Sequence, residues 1–118
     1  MAKHIAIIIE DDPTLNEINS ITLQEMFETE SYKDGLQALQ RLDSITPRLI
    51  ILDLHLPNTS GAEILAKIRA DERFAETRVI LTTADERQAE MLREQADVVL
   101  LKPVSPVQLR ELAIRLAQ

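Results

Sequence analysis

Four short apolar runs restrict the folds open to this chain more than any other feature. They are IAIII (Ile5 to Ile9), LIIL (Leu49 to Leu52), VIL (Val79 to Leu81) and VVLL (Val98 to Leu101). Each is continuously apolar and built mostly from β-branched residues and leucine. Strands that alternate apolar and polar residues show one face to water, whereas continuous runs read as strands covered on both faces, which is the mark of a parallel sheet. A fifth and more polar run, Thr29 to Tyr32, suits an edge strand.

Between the runs lie segments with helix signals. Asp12-Pro13 reads as an N-cap followed by proline in the first turn, with Leu15, Ile18, Thr22 and Met26 spaced to face the sheet. Ser105-Pro106 repeats the signal ahead of the stripe Leu109, Leu112, Ala113 and Leu116. Ile64, Leu65 and Ile68 mark a third helix, and Leu36, Leu39 and Leu42 a fourth. Glu86 to Gln95 is the weakest, with Ala89 and Leu92 as its inward residues. The resulting order, βαβαβαβαβα, predicts an α/β fold with helices on both sheet faces, joined by right-handed crossovers.

The residues that end each run carry the chemistry. The first run ends in Glu10, Asp11 and Asp12, the second in Asp53, the third in Thr82 and Thr83, and the fourth in Lys102 and Pro103. Parallel strands place their carboxyl ends on one edge, where open α/β sheets bind ligands. Carboxylates, a hydroxyl and an ammonium should therefore converge there. Crowded carboxylates repel, and a hard divalent cation such as Mg²⁺, which takes one or two carboxylates plus water and phosphate oxygens, relieves that repulsion. One carboxylate held there can attack a phosphoryl group, with Lys102 and Thr83 stabilising the transferred oxygens. Asp12, just before Pro13, is read as the helix cap rather than a metal contact.

Composition excludes several alternatives. The chain has 118 residues, 45% hydrophobic and 28% charged, so it can bury a core as one domain spanning 1–118. It has no cysteine, which rules out disulfides and zinc–thiolate sites and suits a cytoplasmic protein. No apolar run approaches the about 18 residues of a membrane span, so no membrane partner is expected. The net charge of -7, with aromatic residues limited to one Tyr and two Phe, argues against direct nucleic-acid binding.

Taken together, Glu10-Asp11, LDLHLPNTSG (Leu52 to Gly61), LTTA (Leu81 to Ala84) and LKP (Leu101 to Pro103) resemble the receiver domain of two-component response regulators, including the chemotaxis regulators, over nearly the whole chain. The resemblance implies a doubly wound, flavodoxin-like (βα)5 sandwich with strand order 2-1-3-4-5. It implies that Asp53 accepts a phosphoryl group from a histidine kinase or a phosphotransfer protein. Asp11 and Asp53 would ligate Mg²⁺, with Glu10 helping directly or through water and the backbone carbonyl of His55 completing the protein ligands. Thr83, Lys102 and the backbone N–H of Ala84 would contact the phosphoryl oxygens. The Lys102-Pro103 bond would be cis. Output would run from Thr83 to the surface of the fourth helix, fifth strand and fifth helix, toward an unidentified downstream protein, an output domain or a phosphorylation-dependent homodimer.

Several positions depart from that pattern. Val99 stands where receivers usually carry tyrosine or phenylalanine, and a β-branched aliphatic has almost no rotameric swing with which to report phosphorylation. Leu101 replaces a small or polar residue, and Gln95 replaces the glycine that often precedes Ala-Asp at the turn into the last strand. His55 and Asp85 occupy places that tune phosphoryl lifetime in the family, and the side chain of His55 is expected to face solvent. The departure at Val99 makes a phosphorylation-independent interaction module the alternative function. A Mg²⁺-dependent phosphatase of the haloacid-dehalogenase kind is disfavoured, because His55 stands where such enzymes carry a second aspartate.

Overall fold

The computed structural model describes residues 3–118. Five strands form one parallel sheet: β1 (His4–Ile9), β2 (Phe27–Tyr32), β3 (Leu49–Asp53), β4 (Arg78–Thr83) and β5 (Val98–Leu101), in the order β2-β1-β3-β4-β5. The intervening helices are α1 (Pro13–Leu23), α2 (Gly35–Leu42), α3 (Gly61–Ala70), α4 (Glu86–Leu92) and α5 (Pro106–Ala117), with a short 3-10 turn at Glu72–Phe74. The continuous apolar runs are the strands, and the polar fifth run is edge strand β2, extended back to Phe27.

The strand side chains separate by parity into two cores, as a pleated strand requires. Ile7, Ile9, Ile50, Leu52, Val79 and Leu81 point to one face and pack with Ala38 and Leu42 of α2 and Ile64, Leu65 and Ile68 of α3. Ala6, Ile8, Leu49, Ile51 and Ile80 point to the other and meet Leu23 of α1 and Leu109 and Ala113 of α5. Burial of these side chains, at about 25 cal/mol per Å² of apolar surface, is the main force holding the two helical layers to the sheet.

Each long helix begins at a side-chain cap. Asp12 Oδ1 accepts from the N–H groups of Thr14 and Leu15, and Ser105 Oγ accepts from Gln108 N–H. The inward face of α1 differs from the expected stripe. Ile18 is 39% exposed, whereas Asn16 and Leu23 are buried against the sheet. The helix is rotated because Asn16, not an apolar residue, meets the strand ends. A similar offset affects α2, where Leu36 is 49% exposed and the buried positions are Gly35, Ala38 and Leu42. Gly35 sets this face: a Cβ there would stand 3.0 Å from both Ile64 Cδ1 and Thr59 O, so the first turn lies flush against the start of α3. At the turn into β5, Gln95 adopts an ordinary negative φ and its carbonyl accepts from Arg69 Nε at 2.6 Å, so glycine is not required.

Candidate functional site

Three of the sequence-predicted carboxylates meet at the carboxyl edge of the sheet. Glu10 follows β1, Asp11 follows Glu10, and Asp53 ends β3. One carboxylate oxygen from each lies within 4.8 Å of the others. Glu10 and Asp53 are each 2% exposed, whereas Asp11 is exposed. Lys102, beyond the end of β5, reaches into this group, with its Nζ 2.9 Å from Glu10 Oε1 and 3.2 Å from Asp53 Oδ1. Its backbone N–H donates to Thr83 O at 2.8 Å, which ties the end of β5 to that of β4, and the Lys102-Pro103 bond is cis.

The charges do not balance, since one ammonium faces three carboxylates. Burial first, then hydrogen bonding to Asp53 and repulsion from its charge, push the Glu10 carboxyl up from 4.5 to about 7, against the opposing pull of Lys102 and the Asp12 N–H. Burial alone would lower the Lys102 ammonium, but its hydrogen bond to Glu10 and the field of Asp53 outweigh that and leave it above its usual value. A group of hard oxygen donors with excess negative charge, two of its members buried, fits a divalent cation of the Mg²⁺ type.

The loop after β3 is held open beside Asp53. Leu54 N–H donates to Thr82 O at 3.0 Å, and Gly61 N–H donates back to Leu54 O at 2.8 Å. Glycine is needed at 61 because a Cβ would crowd the Asp53 carbonyl oxygen and stand 2.7 Å from Leu54 Cα. Asn58, at the turn's tip, takes a left-handed φ of 71°, which asparagine tolerates better than most residues, and its amide donates to Asp34. His55 is exposed, and its N–H donates to Asp53 Oδ1 at 3.4 Å.

The remaining predicted residues lie on the same edge but do not all face the carboxylates. Thr83 is fully buried, and its hydroxyl oxygen accepts from Asp85 N–H at 3.0 Å. Thr82, the register partner of Asp53, lines an apolar cavity of about 450 Å³ on the α1–α5 side with Glu10, Leu15, Ile18 and Lys102. Ala84 is exposed in the loop after β4. Val99 pairs with Leu81 and is partly buried against the α2–α3 core. The sequence reading passed over Asn16. The available signal was a polar side chain one turn past a capped helix start, directly after the stripe residue Leu15 and two positions before Ile18.

Comparisons with known proteins show which family the chain is similar to. Residues 6–114 match the family described as the response regulator receiver domain. The chain is 33% identical over 107 residues to the DNA-binding response regulator MtrA of Mycolicibacterium smegmatis, covering 87% of this chain and 46% of that protein. It is 32% identical over 82 residues to hybrid signal transduction histidine kinase D of Dictyostelium discoideum, covering 70% of this chain and 5% of that protein. The chain thus spans less than half the length of either curated relative. Among solved structures it resembles the BeF3-activated receiver domain of DrrB from Thermotoga maritima, with a TM-score of 0.88, 27% identity and 97% of each chain covered.

Proposed function

The chain belongs to the response regulator receiver domain family, and from that premise we propose that Asp53 is its phosphoacceptor and that phosphorylation switches a surface read by a partner. The observation that carries this reading is the Lys102 ammonium bridging Glu10 and Asp53 beside Asp11. A scaffold has no use for buried like charges, which cost a fold stability and cluster at functional sites.

In the proposed reaction, an Asp53 carboxylate oxygen forms a bond to phosphorus while the bond from phosphorus to a kinase imidazole nitrogen breaks. The electron pair leaves on that nitrogen, and an acyl phosphate remains on Asp53. Lys102 would pair with the transferred oxygens, loosening its contact with Glu10 to do so. The Thr83 hydroxyl and the Ala84 N–H are the further donors, and Thr83 would leave Asp85 to act. Receiver domains bind Mg²⁺ in such acidic sites. Here Asp11, Asp53, Glu10 and the His55 carbonyl are the residues to hold it, and when bound it supplies positive charge against the phosphoryl oxygens.

Receiver domains are signalling domains, and they interact with histidine kinases or phosphotransfer proteins. In this reading the chemistry of the chain is limited to its own phosphorylation and dephosphorylation, and residues 1–118 form one cytoplasmic receiver unit. Among the described residues, no helix is long and apolar enough to cross a membrane. Labelling with acetyl phosphate and Mg²⁺ tests the proposal: wild type should take up phosphate and Asp53→Asn should not. Equal uptake by the two proteins, or none by either, would refute it.

A second reading, a phosphorylation-independent interaction module, is favoured by Val99 alone. Its branched side chain packs against the α2–α3 core with no aromatic ring to turn inward. Beryllofluoride with Mg²⁺ separates the two readings. Unchanged amide spectra from Ala84 to Leu116 on binding would mean that the site is uncoupled from the α4–β5–α5 face.

A further inference from the structure

We propose that Asn16 is a positioning residue for the cation site, holding the Glu10–Asp12 loop that carries two of the three clustered carboxylates. The inference rests on reading Glu10, Asp11 and Asp53 as cation ligands.

Asn16 is 4% exposed inside α1, where asparagine is a poor helix former and an unsatisfied amide would be costly. Both hydrogens of its side-chain amide are used. Nδ2 donates to Glu10 O at 2.9 Å and to Tyr32 O at 3.1 Å. The β1–β3 ladder ends at the pair Ile9 and Leu52, so Glu10 is the first residue beyond that pairing. Its own N–H donates to Tyr32 O at 3.0 Å. Glu10 is therefore fixed through both of its peptide groups, one of them directly by Asn16.

The other end of the loop is held by the helix itself, since the backbone N–H at position 16 donates to the N-cap carbonyl Asp12 O at 2.9 Å as the first intrahelical bond, so what the asparagine side chain adds is the anchor at Glu10. A residue needed only for packing would be apolar here, as Leu23 is farther along the same buried face. The amide instead gives Asp11, an exposed ligand on a short loop, a fixed backbone from which to reach the site. Groups that orient metal ligands from behind typically change affinity about 10-fold or more when removed.

The test compares wild type, Asn16→Ala and Leu23→Ala by titration with magnesium chloride, followed by backbone amide NMR at Asp11 and Leu54. Leu23→Ala damages the packing of α1 without touching the loop. In folded Asn16→Ala the Mg²⁺ dissociation constant should rise about 10-fold, and in Leu23→Ala it should stay within about twofold of wild type. Wild-type affinity in Asn16→Ala, or equal weakening in both variants, overturns the proposal. If Asn16→Ala does not fold, the wild-type side-chain amide of Asn16 decides the matter. Its two proton signals should shift with Mg²⁺ at the same dissociation constant as Asp11, and signals that stay put overturn the proposal. If wild type binds no Mg²⁺, the cation reading itself fails and the inference falls with it.

Discussion

Lys102 and Glu10 form a 2.9 Å ion pair although their strands, β5 and β1, are separated in the sheet by β3 and β4. The pair closes over the end of β3, where Asp53 lies, so the Lys102 ammonium is shared between two buried carboxylates. Any change in charge at one of these three residues is felt by the other two.

The first consequence is a pH dependence. The folded-state value for Glu10, about 7, lies above its ordinary 4.5. The folded protein therefore binds a proton that the unfolded chain releases. This contribution to metal-free stability is fully present below about pH 4.5 and is lost as pH rises through about 7. Mg²⁺ bound at this cluster would displace the proton, so its affinity should tighten up to about tenfold per pH unit below 7 and level off above. Calorimetric titrations in buffers of different ionisation enthalpy would detect the released proton.

Removing the Asp53 charge should relieve repulsion. Asp53→Asn is expected to stabilise the metal-free protein by about 1 kcal/mol near neutral pH, despite losing one contact to Lys102. Saturating Mg²⁺ should cancel or reverse that gain. Urea unfolding of both proteins with and without Mg²⁺ measures the difference.

Removing the ammonium should do the opposite. Lys102→Ala leaves Glu10 and Asp53 facing each other without compensation, and should lose about 1–3 kcal/mol of metal-free stability at pH 8. The loss should shrink at pH 5, where Glu10 holds its proton in either protein. Acetyl-phosphate labelling of this variant should fall in parallel.

Gly61 allows no side chain. In Gly61→Ala the new methyl group would meet backbone atoms of Asp53 and Leu54, which cannot swing away. A loss of about 2–3 kcal/mol is expected, with weaker Mg²⁺ binding because the loop carrying His55 must shift. Chemical denaturation and a Mg²⁺ titration check the two effects separately.

The strands and the charged cluster at their carboxyl edge were readable from the sequence for one physical reason. Parallel strands buried on both faces leave unbroken apolar runs, and the residue after each run must lie at the ligand edge. Glu10, Asp53 and Lys102 could thus be brought together without coordinates. Helix faces were less readable. On α1 the expectation followed Ile18, but the inward position belongs to Asn16, whose burial is favourable only because two carbonyl oxygens wait at the ends of β1 and β2. Periodicity counts apolar residues and cannot see such partners. Thr83 shows the same limit at finer scale, since its place after β4 was evident but its bond to Asp85 N–H was not.

The pair between Lys102 and Glu10 also bears on how the molecule is made. As a ribosome extends the chain, Glu10, Asp11 and Asp53 emerge well before Lys102, and β5 is the last strand to emerge. Until it does, the acidic cluster lacks its resident cation, and only dissolved ions or protons can quiet it. Free Mg²⁺ around the nascent chain should therefore ease the gathering of the first strands, and then give way in part to a lysine that the protein supplies for itself.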